Sequence, residues 1–209
     1  MSAPLAALGL RAQRGGAVAV GVAIAAGEPR ILVSRTLETS APGDRLSLQP
    51  YQVAAGMPRG PQGQATAEAA AAVAEGRRRQ DQIATENLRE LVRQLEDAGC
   101  GPVVAALLVN RAGWITDLLD YSLAWPEHGP VADGLAVREA LRFACRECGV
   151  DIVELDEKSL PEQAAQALGL SSDQIDGRLA TLGSSVGRPW RKEQKLACLA
   201  AWVLAVRGG

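Results

Sequence analysis

Lys192 and Lys195 stand three residues apart where the apolar segment that closes the chain begins, with Arg188 and Arg191 just ahead of them. Residues at this spacing share one helical face. The same face continues as Leu196, Leu199, Val203 and Val206, with Trp202 beside it. Cations in a first helical turn oppose the positive end of the helix dipole. Such a cluster predicts one of two things. Either an anion (phosphate, a nucleotide or a nucleic-acid backbone) sits at the helix start, or the lysines rest their methylenes on the core rim and reach solvent.

Other residues with chemistry to offer are more isolated. His128, the single histidine, lies in "WPEHGP", which reads as an exposed loop, so a serine or cysteine triad has nothing to build on. Cys145 and Cys148 form a CxxC, but late in a predicted helix. A redox pair belongs at a helix N-terminus, and a structural zinc site needs a second pair, so both read as small hydrophobes. Arg77, Arg78 and Arg79 are flanked by Glu75 and Asp81 and read as a solvated face. Asp117 and Asp120 also read as polar surface, while Asp156 and Glu157 follow a predicted strand at an end where ligands bind in α/β folds. No GxGxxG or P-loop pattern is present, and "LGSSVGR" is a loop leading into the cationic helix start.

The background against which these act is nearly neutral. The 209 residues are 47% hydrophobic and 22% charged, with net charge −2. A chain of this size builds a substantial core, and this charge gives no global attraction to nucleic acid or acidic lipid, so an anion site must be local. Aromatics at 3% argue against base-stacking platforms. No apolar run is long enough to span a membrane, and "MSAPLAALGLRAQRGG" lacks a basic leader, so the expected location is cytoplasmic.

The elements that must position these residues follow from periodicity. Residues 4–13, 17–25 and 30–38 read as three strands joined by short turns, a meander of two hairpins. Residues 40–64, rich in Pro, Gly and Gln, read as a long loop. Residues 65–98 carry helical spacing, with Ala84, Leu88, Leu91, Val92 and Leu95 on one face. "PVVAALLVN" is a continuous apolar run, the pattern of a parallel strand covered on both faces. A helix capped by Asp133 and ending near Cys148 follows, then a strand over 149–155. Short helices begin at Ser159 and at Ser171 or Ser172, and a final helix runs over 190–206. The order β-β-β-α-β-α-β-α predicts a mixed five-stranded sheet with helices on both faces.

That order is the ribonuclease H-like plan, with strand order 3-2-1-4-5 in a single domain over 1–209. The stretch from "DGLAVREALRFACRECGVDIVELDEKSL" through "PEQAAQALGLSSDQIDGRLATLG" and its closing helix resembles the second half of RuvC-type Holliday junction resolvases and related predicted nucleases. "ALGLRAQRGGAVAVGVA" is similar to their first hairpin. The resemblance implies two divalent metals held by four carboxylates: one on the first strand, one at the end of the fourth, and two three residues apart at the start of the last helix. Aligned on those motifs, the positions hold Arg11, Asn110, Lys192 and Lys195. None is a carboxylate and three are cations, whereas two-metal phosphodiester cleavage needs hard oxygen ligands.

The sequence therefore predicts a non-catalytic ribonuclease H-like binding or assembly module with no cofactor. Its charge-inverted site would take phosphate or a nucleic-acid backbone on Arg11, Lys192, Lys195, Arg191 and Arg188, with Asn110 at a degenerate catalytic position. The alternative is a magnesium-dependent RuvC-like nuclease with displaced carboxylates drawn from Glu193, Asp156 and Glu157. Partners under the first reading are nucleic acid, another phosphate-bearing ligand, a protein or a second copy of the chain.

Overall fold

The computed structural model describes residues 4–110 and 114–208. Five strands, β1 (Ala6–Gln13), β2 (Gly16–Ala25), β3 (Glu28–Glu38), β4 (Val103–Val109) and β5 (Asp151–Asp156), form one sheet in the order β3-β2-β1-β4-β5. The first three make the expected antiparallel meander, while β4 runs parallel to β1 and β5 parallel to β4. Eight helices are described: α1 (Arg45–Leu48), α2 (Pro50–Ala55), α3 (Ala67–Asp97), α4 (Leu118–Ala124), α5 (His128–Glu147), α6 (Leu160–Leu168), α7 (Ser172–Val186) and α8 (Lys192–Gly208).

Strand alternation divides the core in two. Ala6, Leu8 and Leu10 of β1 and Leu107 of β4 face α3 and α5, where Leu88, Leu91 and Leu141 meet them. Ala7, Val18, Val20 and Leu108 face α6, α7 and α8. Leu107 and Leu108 are both buried, on opposite faces, as a central parallel strand requires.

Close approach on each face depends on one missing side chain. A Cβ on Gly9 would lie 1.8 Å from the Ala197 carbonyl oxygen, so α8 rests its backbone on β1 through Ala197 and Ala201. On the other side, a Cβ on Gly76 would lie 2.5 Å from the Leu46 carbonyl oxygen, which lets α1 lie against α3. The glycine costs about 1 kcal/mol of helix propensity, and the packing offsets it.

Three local expectations are corrected. The long loop expected over about 40–64 instead contains α1 and α2. Asp44 caps α1 by accepting from Leu46 N, and Pro50 opens α2. Tyr51 and Ala54 of α2 are buried against Val73, Ala132 and Ala136. Asp133 does not cap its own helix, because α5 begins five residues earlier, at His128. It is buried, and its Oδ1 accepts from Tyr51 N at 2.8 Å while Oδ2 accepts from Gln52 Nε2 at 2.8 Å. It therefore caps α2 from a distance. His128 is not a loop residue: it opens α5, stacks on the Tyr121 ring at 3.9 Å, and its Nδ1 lies 2.9 Å from the Tyr121 carbonyl oxygen.

Candidate functional site

Arg11 lies near the carboxyl end of β1, opposite Leu108 of β4 and on the α8 side of the sheet. Its guanidinium forms a two-pronged pair with Glu157, Nε to Oε2 at 3.0 Å and Nη2 to Oε1 at 3.1 Å. Glu157 follows β5, and its backbone N–H donates to the Val109 carbonyl oxygen at 2.9 Å, so the acid is anchored at the end of the sheet. Both side chains are about a quarter exposed, at 24% and 28%. A fork–fork pair of this kind fixes both partners in orientation and neutralises both.

Asn110 follows β4, and its Oδ1 accepts from Arg138 Nη1 at 2.6 Å. Arg138 is a partly buried residue on α5, and its Nε is buried without a hydrogen-bond partner. Among the described residues no carboxylate pairs with this guanidinium. Burial, and then repulsion from Arg142, hold the Arg138 guanidinium below its ordinary value. The side chain borders a cleft of about 660 Å³ that also takes in Arg77, Arg142, Asn110 and Thr116. The carboxylates of that cleft are committed elsewhere. Glu139 accepts from Arg77 at 2.9 Å and Glu154 from Arg142 at 2.5 Å. Asp117 caps α4 by accepting from Leu119 N and Asp120 N. Arg77 therefore lines the cleft and is not part of a solvated face. Arg78 and Arg79 do lie outward, both paired with Glu75, whose carboxyl they pull down to about 2.

The closing helix places its cations differently from the predicted convergence. The residues of α8 that meet the sheet are small, with Ala197 and Ala201 over Gly9. The stripe carrying Lys192, Lys195, Leu196 and Leu199 lies away from that alanine face, in a groove with Pro161, Ile175, Asp176 and Leu179 of α6 and α7. Arg188 lines another groove, beside Ser34, Arg35 and Thr36 of β3. Arg191 is exposed, and its backbone N–H donates to Gln194 Oε1 at 2.9 Å, so the helix start is satisfied by its own chain. The five proposed anion ligands are thus dispersed: Arg11 in an ion pair, Lys192 and Lys195 in one groove, Arg188 in a second, and Arg191 in solvent. Helical phase puts Glu193, one turn ahead of Ala197, on the sheet-facing side.

These side chains do not suit the two metals that the family resemblance implies. Arg11 and Glu157 neutralise one another, and Asn110 is held by a cation. Among the described residues no three of His, Cys, Asp and Glu gather closely enough to hold a metal. Burial pushes the Cys145 and Cys198 thiols up to about 12, and Cys148 is also raised by burial, so none of the three is poised as a nucleophile or thiolate ligand.

Two participants were out of reach of sequence reasoning. Glu157 reads from the sequence as a displaced metal ligand, but its pairing with Arg11 spans 146 residues. Arg138 had one available signal: Arg138 and Arg142 are like charges four apart on one helix, an unfavourable arrangement unless something else holds them.

No protein-family model and no curated protein matches the sequence. Solved structures do resemble it. RuvC of Thermus thermophilus superposes with a TM-score of 0.53 at 13% identity, over 97% of this chain and 95% of that one. The same protein in complex with a Holliday junction substrate gives 0.52 at 13% identity, over 98% and 94%. A PPX-GPPA enzyme of Aquifex aeolicus reaches only 0.38, over 80% of this chain and 41% of that one. At such identity the likeness is one of architecture, and with the strand order it establishes that the chain has a ribonuclease H-like fold.

Proposed function

We propose that this chain is a non-catalytic ribonuclease H-like module that binds or assembles and does not cleave. One observation carries the reading: at the carboxyl end of β1, Arg11 and Glu157 form a closed, charge-neutral pair. A divalent ion placed there would meet a guanidinium and would have to break the fork to reach the carboxylate. The position of Asn110, held by Arg138, supports the same conclusion, since an amide bonded to a cation is a poor divalent ligand. The first-strand and fourth-strand positions are read as degenerate catalytic positions on this basis. The junction-bound relative makes a nucleic-acid backbone a reasonable class of partner. No described helix is long and apolar enough to cross a membrane. The assembly half of the reading is that copies of the chain pair, which mass measurement in solution reads directly.

The test is a cleavage assay on junction, duplex and single-stranded DNA with magnesium or manganese. The expected result is no metal-dependent product. Cleavage that needs the metal and is abolished by Glu157→Gln or Glu193→Gln would overturn the proposal in favour of displaced carboxylates.

A further inference from the structure

We propose that the cleft between the end of β4, α4 and α5 is a binding site for a phosphoryl oxyanion, with Arg138 as its principal ligand. The inference rests on the non-catalytic reading only in taking the sheet end to be free of metal. It differs from a site at the start of α8, because the guanidinium without an ion pair lies on α5, on the opposite face of the sheet.

The argument is an accounting of charge and hydrogen bonds. Among the described residues, three arginines, Arg77, Arg138 and Arg142, border the cleft. Two have carboxylate partners, Glu139 and Glu154. The remaining acid on the lining, Asp117, directs Oδ1 at the first backbone amides of α4 and, among the described residues, pairs with no arginine. Arg138 is left with one neutral acceptor, Asn110, and a buried Nε with none. Glu157 and Glu154 act on it without a hydrogen bond, and a partly buried cation with no directly bonded carboxylate is costly. The Asn110 bond holds the guanidinium in a set orientation, so that its terminal Nη groups, and not the buried Nε, can meet a phosphate oxygen. Thr116, also on the lining, adds a hydroxyl that can donate. Trp114, 72% exposed and edge-on to Tyr121 at 5.7 Å, stands just ahead of Ile115 and Thr116 of the lining. It offers a stacking surface beside the cleft, so the phosphoryl group can arrive as free phosphate or on a nucleotide.

Equilibrium dialysis with inorganic phosphate, and in parallel with adenosine monophosphate, tests this at constant ionic strength with a chelator present. Wild type, Arg138→Gln and the double variant Lys192→Gln with Lys195→Gln are compared. Wild type should bind phosphate, Arg138→Gln should bind at least tenfold more weakly, and the double variant should match wild type. Adenosine monophosphate bound more than tenfold tighter than phosphate, with the excess lost in Trp114→Ala, identifies a nucleotide as the source. Equal affinity identifies free phosphate. If Arg138→Gln does not fold, Asn110→Ala, which removes only the tether at an exposed residue, should weaken binding severalfold. Absence of phosphate binding by wild type overturns the inference, as does unchanged binding by Arg138→Gln or loss in the lysine variant alone. Failure of the non-catalytic reading would appear separately, as metal-dependent cleavage.

Discussion

Arg11 and Arg138 sit at the same end of the same sheet, on opposite faces, and differ in one respect. Arg11 has a carboxylate that matches its fork, whereas Arg138 has an amide and a bare Nε. The first arrangement is what a structural pair looks like: both charges are neutralised and held. The second leaves a guanidinium without an ion pair on the lining of a cleft. The comparison teaches that a cluster of cations in sequence says little about where free positive charge resides. Arg188, Arg191, Lys192 and Lys195 are close in the chain, yet the two lysines line one groove, Arg188 lines another and Arg191 is exposed. Arg138 is unremarkable in the chain, and among the described arginines of the cleft it is the one without an ion pair.

The largest expected effect is on the scaffold that keeps the two faces distinct. Gly9→Ala puts a Cβ 1.8 Å from the Ala197 carbonyl oxygen, which is backbone and cannot rotate away. The helix must lift off the sheet, at a cost of about 3 kcal/mol or more. Gly134→Ala, on the Arg138 helix with nothing within 4 Å of the new Cβ, should be neutral or slightly stabilising. Chemical denaturation of both variants checks the contrast, and equal costs would mean that α8 is not seated as described.

Next in size is the distant cap that shapes one wall of the region. Asp133→Ala leaves the buried Tyr51 N–H without its acceptor, which should cost about 1–3 kcal/mol. The same carboxyl has a pH signature. Burial raises it above its ordinary value of 3.8, against the hydrogen bonds from Gln52 and Tyr51 that lower it. Its proton is therefore held more tightly in the folded state than in the unfolded chain. The associated stability is complete below the unfolded value and is lost as pH rises through the raised one. Asp133→Asn should reduce that loss, and denaturation midpoints across mildly acidic pH would reveal it.

A smaller effect converts one region into the other. Glu157→Gln removes the counter-charge of Arg11 and should destabilise the protein by about 1 kcal/mol, the scale of a partly exposed pair. With Arg11 released, phosphate affinity should rise severalfold, since Arg11 already acts electrostatically on Arg138. Unchanged affinity would mean that the two faces are electrically independent.

How much of this was legible in the sequence depended on the range of the interaction. The meander, the covered strand β4 and the single long helix α3 are written in local periodicity, and all are where the pattern puts them. Helices α1 and α2, of four and six residues, are too short to show a period, and the Pro and Gln around them resemble loop chemistry. Asp133 has the chemistry of a cap, but the helix it caps is 82 residues away. The apolar stripe of α8 was readable, but the sheet takes the alanine face, because Gly9 admits a backbone and excludes leucines. That phase puts Lys192 and Lys195 in the groove with α6 and α7. At the site, Arg11 could be picked out by alignment. Its partner and the unpaired Arg138 became visible only once α5 and β5 were in place.

The most direct measurement of the central contrast is the melting temperature of Arg138→Met beside wild type, with and without phosphate at matched ionic strength. Methionine keeps the methylenes and removes the uncompensated charge, and the exposed Asn110 can turn to water. Without phosphate the variant should melt higher, by about 2–4 °C if the relief is about 1 kcal/mol. With phosphate the wild type should gain and close or reverse that gap, because a ligand that binds only the native state stabilises it. A variant that melts below wild type without phosphate, by a margin that phosphate does not change, would contradict the account.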